Sequence, residues 1–300
     1  MLDYHYVWPK SRLFRACTGL TRKDFLKLLK DFTKLYYTVR EEIALSKERQ
    51  RAPGAGRTPK RFDTAAKLLF YLLFYIRVYP TFDLAQIIFQ LDRANLHYWF
   101  NLGLPILEFA VKHKIPLPAQ RCSDPTDLFR KIPELKGHIV DATEQPMNRP
   151  KYKQQKYYSG KKKMHTKKRQ IITTPEGKVI GISLAVEGKM HDKTLAEESM
   201  YLAHAPPDST GMGDGAYKQM HKMGSGAKFI TPNKKPAGKE LPAHLKVQNR
   251  TISSVRVIVE NVICHLKYYR MFSDKIRYRK NYDDSISNVV GGLYNFKLGY

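Results

Sequence analysis

The chain has 300 residues, 42% of them hydrophobic and 12% aromatic, enough for a sizeable core and at the upper edge of one domain, so a main domain plus a smaller one is expected. Its 53 Lys and Arg against 27 Asp and Glu give a net charge of +26, far beyond what solubility favours, and imply a polyanionic partner, with nucleic acid ahead of a ribosomal or membrane-surface role. Cys17, Cys122 and Cys264 are too scattered for a disulfide framework or a zinc site, the apolar run Leu68 to Ile76 is too short to cross a membrane, and MLDYHYVWPK has no signal-peptide pattern, so a soluble, cytoplasmic protein without a membrane partner is expected.

Thr21, three residues ahead of Asp24 and followed by Phe25, Leu28, Leu29 and Phe32, predicts a capping box opening an amphipathic helix that ends near Tyr37. Residues 46 to 62, SKERQRAPGAGRTPKRF, combine Pro53, Gly54, Gly56 and Pro59 with many basic side chains and read as a linker that can lie along phosphates. Asp63 to Val78 reads as a buried helix, Thr81 to Phe89 as a second, and Asp92 caps a third that starts at Arg93. The order suggests a helix-turn-helix, although periodicity alone fits a plain helical bundle as well.

Pro116, Pro118, Pro125 and Pro133 separate this helical part from a strand-rich part that begins near His138, and the domain boundary is placed there. A strand ending at Asp141 is followed by a long basic stretch, then by two β-rich runs, Gln170 to Thr174 and Val179 to Val186, joined as a hairpin through Pro175 and Gly177. Lys193 to Ala203 looks helical, Thr210 to Gly213 and Lys228 to Thr231 look like short strands, and Thr251 to Phe272 reads as one long helix. Strands followed by a mixture of strands and helices predict an α/β or α+β core.

Three acids stand out. Asp141 closes the buried run His138-Ile139-Val140, where a carboxylate needs a compensating cation, although a lone acid there is also an ordinary cap. Asp214 lies in GMGDGAY, where Gly213 and Gly215 allow close backbone approach and leave the carboxylate unobstructed. In the long helix, Val255, Val259, Val262, Leu266 and Tyr269 form a core stripe, and Arg256, Glu260, Lys267 and Arg270 line its border. Arg256 and Lys267 then lie about 6 and about 10 Å along the axis from Glu260, close enough to hold phosphates beside a metal held by Glu260. A simple Arg256-Glu260 i,i+4 pair has the same spacing.

Residues 145 to 175 carry ten Lys and Arg and no Asp or Glu, interleaved with Tyr152, Tyr157, Tyr158 and His165, a pattern suited to a strand crossing phosphates. Lys161, Lys162, Lys163, His165, Lys167, Lys168 and Arg169 are the expected nucleic-acid contacts in this stretch, joined by Arg256 and Lys267 from the long helix and by Arg93 and Asn95 from the helical part.

The ordered series DATEQPMNRP, YYSGKKKMHTKKRQ, GKMHD, GDGAY, PNKKPAG and NRTISSVRVIVENVICHLKYYR, together with DLAQIIFQLDRANLHYWF, resembles bacterial insertion-sequence transposases that carry a helix-turn-helix and a DDE superfamily endonuclease domain. The resemblance implies an RNase H-like catalytic core, a mixed five-stranded sheet flanked by helices, preceded by an all-α helix-turn-helix domain. Its segments are 1–60 (helical segment and linker), 61–133 (helix-turn-helix) and 134–300 (catalysis). It makes Asp141, Asp214 and Glu260 the catalytic and metal-binding acids, with two Mg²⁺ ions (Mn²⁺ as substitute) and a cut-and-join reaction on phosphodiester bonds. The implied partners are double-stranded DNA at terminal inverted repeats and target sites and at least a second copy of the chain in a synaptic complex, with no small-molecule substrate.

A related signature of the wider superfamily, Tyr-x₂-Arg-x₃-Glu-x₆-Lys, is met by Arg256, Glu260 and Lys267 but has Ser253 at the Tyr position. His191 and Asp192 match a recurring His-Asp pair, in which Asp192 is read as the cap of the following helix ahead of a fourth acidic contact. A non-enzymatic DNA-binding remnant and a stand-alone nuclease are the alternatives; the joint presence of the three acids speaks against the first, and the sequence leaves the second open.

Overall fold

A computed structural model of the chain describes residues 2–45, 61–112, 136–199, 205, 207–218, 220, 226–278 and 282–300. Nearly all of the expected linker, the four prolines at the expected boundary and the end of the helix expected at 193–203 lie outside the described residues. The chain divides into two compact units, Met1–Lys114 with Tyr268–Phe272 and Asn288–Gly299, and Ile115–Lys267 with Ser273–Ser287 and Tyr300. No described helix is long and apolar enough to cross a membrane.

The first unit is helical: α1 (Tyr4–Val7), α2 (Ser11–Thr18), α3 (Arg22–Leu45), α4 (Ala65–Val78), α5 (Phe82–Phe89) and α6 (Arg93–Lys112). The capping box is present, since the Thr21 hydroxyl accepts from the Asp24 amide at 3.1 Å and donates to its carboxylate at 2.6 Å. The helix it opens continues past the expected end at Tyr37 to Leu45, because no Gly or Pro interrupts that stretch and the Arg40 guanidinium donates back to the Tyr36 hydroxyl. α4 is buried on all sides from Leu68 to Ile76, as expected of a helix with no polar face. Thr64 and Thr81 cap α4 and α5 by accepting from the Lys67 and Leu84 amides. Gln90, held at φ 49°, then turns the chain within three residues into α6. The Tyr71 hydroxyl donates to the Leu96 carbonyl at 2.9 Å, fastening α6 to α4.

The second unit is built on a mixed sheet. β1 (Gly137–Pro146), α7 (Gln154–Tyr157), β2 (Tyr158–Ser159), β3 (Met164–Thr173), β4 (Val179–Ile182), β5 (Val186–Glu187), α8 (Asp192–Glu198), β6 (Thr210–Met212), β7 (Lys228–Ile230) and α9 (Ala243–Lys267) follow in order, and α10 (Arg270–Ser273) and α11 (Asp283–Leu298) complete the chain. The sheet has seven strands among the described residues: its path is β2-β3-β1-β6-β7, and β4 and β5 also pair with β3; the pairings to and from β3 are antiparallel, those from β1 to β7 parallel. The two-residue β2 and β5 are additions to β4, β3, β1, β6 and β7, the five strands of the expected RNase H-like core. On one face Val140 packs with Ala196, Tyr217 and Met220. The stripe of α9 is buried at Val259 (0%), Val262 (2%) and Leu266 (0%), a burial worth roughly 1.5–3 kcal/mol per large aliphatic side chain.

Two expected boundaries change. β1 does not end at Asp141 but runs to Pro146, because β3 pairs with it from Ile139↔Thr173 to Pro146↔Thr166. α9 begins at Ala243 rather than Thr251 and stops at Lys267. Its extra turns are fixed to the loop before it, where the Asn233 amide donates to Asn249 Oδ1 at 2.8 Å and Asn249 Nδ2 donates to the Asn233 carbonyl at 3.0 Å.

Candidate active site

The register of the parallel pair sets two of the acids side by side. Ile139 of β1 is partnered with Met212 of β6, and beyond that pair β6 leaves the sheet. Asp141 lies two residues further on in β1, on the face of Ile139, and Asp214 lies two residues past the end of β6, close enough for its carboxylate to act on that of Asp141. Asp141 is therefore mid-strand on its β3 side and at the end of the pairing on its β6 side. Gly213 serves packing here, since a Cβ on it would meet the Tyr217 ring at 2.8 Å, whereas one on Gly215 would meet open space. Asp214 caps the short 3₁₀ turn Gly215–Tyr217 by accepting from the Ala216 amide at 2.8 Å.

Burial raises the Asp141 pKa first, and the carboxylates of Asp214 and Asp192 raise it further; the Ala142 amide and the Arg256 guanidinium act in the opposite direction. One oxygen of Asp141 accepts from the Ala142 amide at 2.8 Å, and one of Asp214 from Ala216, so each keeps an oxygen without a partner among the described residues. Paired hard oxygens in a half-buried setting that resists negative charge fit a divalent cation.

Glu260 is not gathered onto them. Its side chain is 52% exposed and accepts from Arg256 Nη2 at 3.4 Å, and among the described residues no three His, Cys, Asp or Glu side chains are clustered closely enough to share an ion. An exposed i,i+4 pair is worth only a few tenths of a kcal/mol, so turning Glu260 away from Arg256 costs little. Lys267 is also near: burial, then the adjacent Lys162 ammonium, lowers its pKa, while Cys264, Asp141 and Glu144 raise it. Two neighbouring ammonium groups beside an acid, neither in an ion pair among the described residues, suit a phosphate.

Asp192 departs from its expected role. The N-cap of α8 is His191, without a side-chain cap bond, and Asp192 instead accepts from Lys168 Nζ at 2.8 Å. Lys168 also donates to the Met190 carbonyl at 2.6 Å and lies 3.7 Å from Glu144 Oε1, while the Thr166 hydroxyl holds the other Glu144 oxygen at 2.8 Å. A Glu144-Lys168-Asp192 triad, with Lys168 buried and both carboxylates half-buried, therefore stands beside the acids. Glu144 was missed in the sequence; its signal is the period-2 spacing from Ala142 on a strand that continues past Asp141.

The basic stretch splits in two. Lys161, Lys162 and Lys163 form the exposed turn between β2 and β3, with Lys163 at φ 55°, and the partly buried His165 ring sits edge-on to Tyr158 at 5.6 Å. Lys168 and Arg169 correct the expectation of DNA contacts. Arg169 is 1% exposed and donates to Asp283 at 2.8 Å and to Gln145 at 3.0 Å, and Lys168 is held by the triad. Lys167 likewise bonds Asp283, which also accepts from the Tyr278 hydroxyl. These charges are neutralised inside the unit. In the helical unit Arg93 and Asn95 are exposed at the start of α6, with Arg93 bonded to Asp83 at 3.3 Å.

The profile of the family described as DDE superfamily endonuclease matches residues 140–295, just over half of the chain. A protein described as a probable transposase for insertion sequence element IS702, from Microchaete diplosiphon, is 32% identical over 173 residues, which are 56% of this chain and 60% of that relative's length. The matched segment contains Asp141, Asp192, Asp214 and Glu260, most of β1 and all of β3, β6 and α9, and the chain belongs to the DDE superfamily endonuclease family.

Proposed function

We propose that this chain is a transposase that cuts phosphodiester bonds at the ends of an insertion sequence and joins the freed 3′ ends to target DNA. The observation that carries the reading is the juxtaposition of Asp141 and Asp214 just past the end of the parallel β1-β6 pairing, each with an oxygen unpartnered among the described residues and with the cations of Arg256, Lys267 and Lys162 close by. Asp141, Asp214 and Glu260 would hold the two divalent ions, Mg²⁺ or Mn²⁺, once Glu260 turns from Arg256. When bound, such ions polarise the scissile phosphate and acidify an attacking hydroxyl or water. Lys162 and Lys267 hold the phosphate in line, and Arg256, released from Glu260, adds a fork of donors to it. The same residues serve hydrolysis and strand transfer, since only the attacking oxygen differs.

Residues 61–133 supply recognition in this reading, with α5 and α6 as the helix-turn-helix and Arg93 and Asn95 on base edges in the major groove, and residues 134–300 supply the chemistry. Likeness to a probable transposase supports terminal inverted repeats as the recognised DNA. Synapsis of two ends calls for a dimer or larger assembly, in the DNA-containing compartment of a bacterial cell. The test is incubation of the full chain with Mg²⁺, a duplex carrying the element's own end and a plasmid target. Cleavage and joined products are expected. Cleavage without joining would leave a nuclease, and neither would refute the proposal.

A further inference from the structure

Two carboxylates can share an ion only if the gap between them is fixed, because a small divalent cation tolerates little variation in its oxygen distances. The sheet does not fix it alone. Past the Ile139↔Met212 pair no ladder pairing among the described residues ties the turn carrying Asp214 to β1. The Gly213 amide donates to the Ile230 carbonyl at 3.2 Å, but Ile230 belongs to β7, on the far side of β6 from β1.

Tyr217 supplies a second tie. It ends the 3₁₀ turn, and its amide donates to the Asp214 carbonyl at 3.2 Å. Its ring is 0% exposed, lies against Gly213 and packs with Val140 of β1. Its hydroxyl accepts from Gln170 Nε2 at 3.4 Å, and neither group has another partner among the described residues. Burial holds the hydroxyl pKa well above its usual value; the Gln170 bond opposes the rise, and the carboxylates of Asp192, Asp141 and Asp214 add to it, so the hydroxyl is within electrostatic reach of all three.

Gln170 is itself fixed. On β3 it is paired with Ala142, its amide donates to Ser183 Oγ at 2.9 Å, its carbonyl accepts from the Ser183 amide at 2.9 Å, and its side-chain oxygen accepts from the Ser199 hydroxyl at 3.3 Å. Paired residues of neighbouring strands share a face and successive residues alternate, so Gln170 lies on the face of Ala142 and Val140, opposite the Asp141 side chain. Gln170 and Tyr217 therefore underpin the acids without facing an ion.

We propose that Tyr217 and Gln170 are positioning residues that set the gap between Asp141 and Asp214. Their bond ties the turn of Asp214 to β3, and β3 is paired with β1 from Ile139↔Thr173 to Pro146↔Thr166, so both carboxylates are carried on one frame. Water cannot replace the bond, since both residues are 0% exposed, and its loss would leave a buried amide unsatisfied. The inference rests on the proposed metal-binding reading of the acids and adds to it the residues that space them.

The test measures Mn²⁺ binding to the full chain without DNA by electron paramagnetic resonance, with urea unfolding and the Mn²⁺ dependence of cleavage in parallel. Tyr217→Phe keeps the ring and removes the hydroxyl. Its Mn²⁺ affinity should fall on the order of 10- to 100-fold, as for other groups that orient metal ligands, and its cleavage should need correspondingly more Mn²⁺ but recover at saturation. Combining Tyr217→Phe with Gln170→Met removes both polar groups and should regain stability without regaining affinity. Ile180→Ala, at a buried position of β4 outside this network, should lose stability with Mn²⁺ affinity unchanged. Undiminished affinity in Tyr217→Phe, or affinity that follows stability through all three variants, overturns the role of Tyr217 and Gln170 alone. Absence of Mn²⁺ binding by the unaltered protein refutes the metal-binding reading and this inference with it.

Discussion

The division of the basic stretch into buried and exposed halves makes a quantitative demand on DNA binding. Lys161, Lys162 and Lys163 are exposed on one turn, whereas Arg169 is 1% exposed and spent on Asp283 and Gln145. Each phosphate neutralised contributes about 0.9 to the log-log slope of affinity against salt, so replacing the three lysines with Ala should flatten it by up to about 2.7. Arg169→Met should leave the slope unchanged. It should instead destabilise the protein by about 3 kcal/mol, the low end for a broken buried pair, because Asp283 keeps Lys167 and Tyr278 as partners. Fluorescence anisotropy with an unrelated duplex between about 50 and 200 mM salt measures the slope, and urea unfolding measures the stability. A folded Arg169→Met variant with a flattened slope, or one that loses no stability, would refute the reasoning.

Asp141 carries a raised pKa in the folded protein, so its favourable contribution to stability is complete below the unfolded carboxylate pKa and is lost as pH rises through the folded one. Asp141→Asn should therefore melt at a higher temperature than the unaltered metal-free protein at neutral pH, with the gap closing as pH falls; calorimetry across pH that shows no gap at neutrality contradicts this. Lys168→Met leaves the half-buried Glu144 and Asp192 without their shared cation and should lower stability, by more than the few tenths of a kcal/mol typical of an exposed pair; urea unfolding that shows no loss contradicts this. Arg93→Ala should reduce the preference for end sequence over scrambled duplex by about 1–3 kcal/mol if Arg93 reads a guanine, with nonspecific affinity nearly unchanged. A competition titration with equal losses on both duplexes would remove Arg93 from base reading.

Where local chemistry terminates an element, the sequence was a good guide. Thr21, Thr81 and Asp92 mark the starts of α3, α5 and α6 because short polar side chains at those positions satisfy amides that the helix leaves open, and α4 starts two residues after the expected Asp63, capped by Thr64. The apolar run His138-Ile139-Val140 that announced β1 also marked Asp141, and the glycines after β6 marked Asp214. Long-range pairing was illegible. Met164 to Arg169 reads as part of a basic strand laid across phosphates, yet it forms half of β3 and pairs with β1, since its charges are satisfied by Asp283 and Asp192, far away in the chain. Missing that pairing made β1 end at Asp141 and hid Glu144. Asp192 looked like a cap because His-Asp before a helix is a capping pattern, and only the fold brings Lys168 within 2.8 Å of it.

The central claim is that Asp141, Asp214 and Glu260 act through metal ions and not through contacts to DNA. Asp141→Asn, Asp214→Asn and Glu260→Gln, assayed singly for Mg²⁺-dependent cleavage of an end duplex and in parallel for duplex affinity, test it directly. The account predicts that each variant loses cleavage while binding duplex almost as tightly as the unaltered protein. Cleavage at an undiminished rate by any one of them would contradict it.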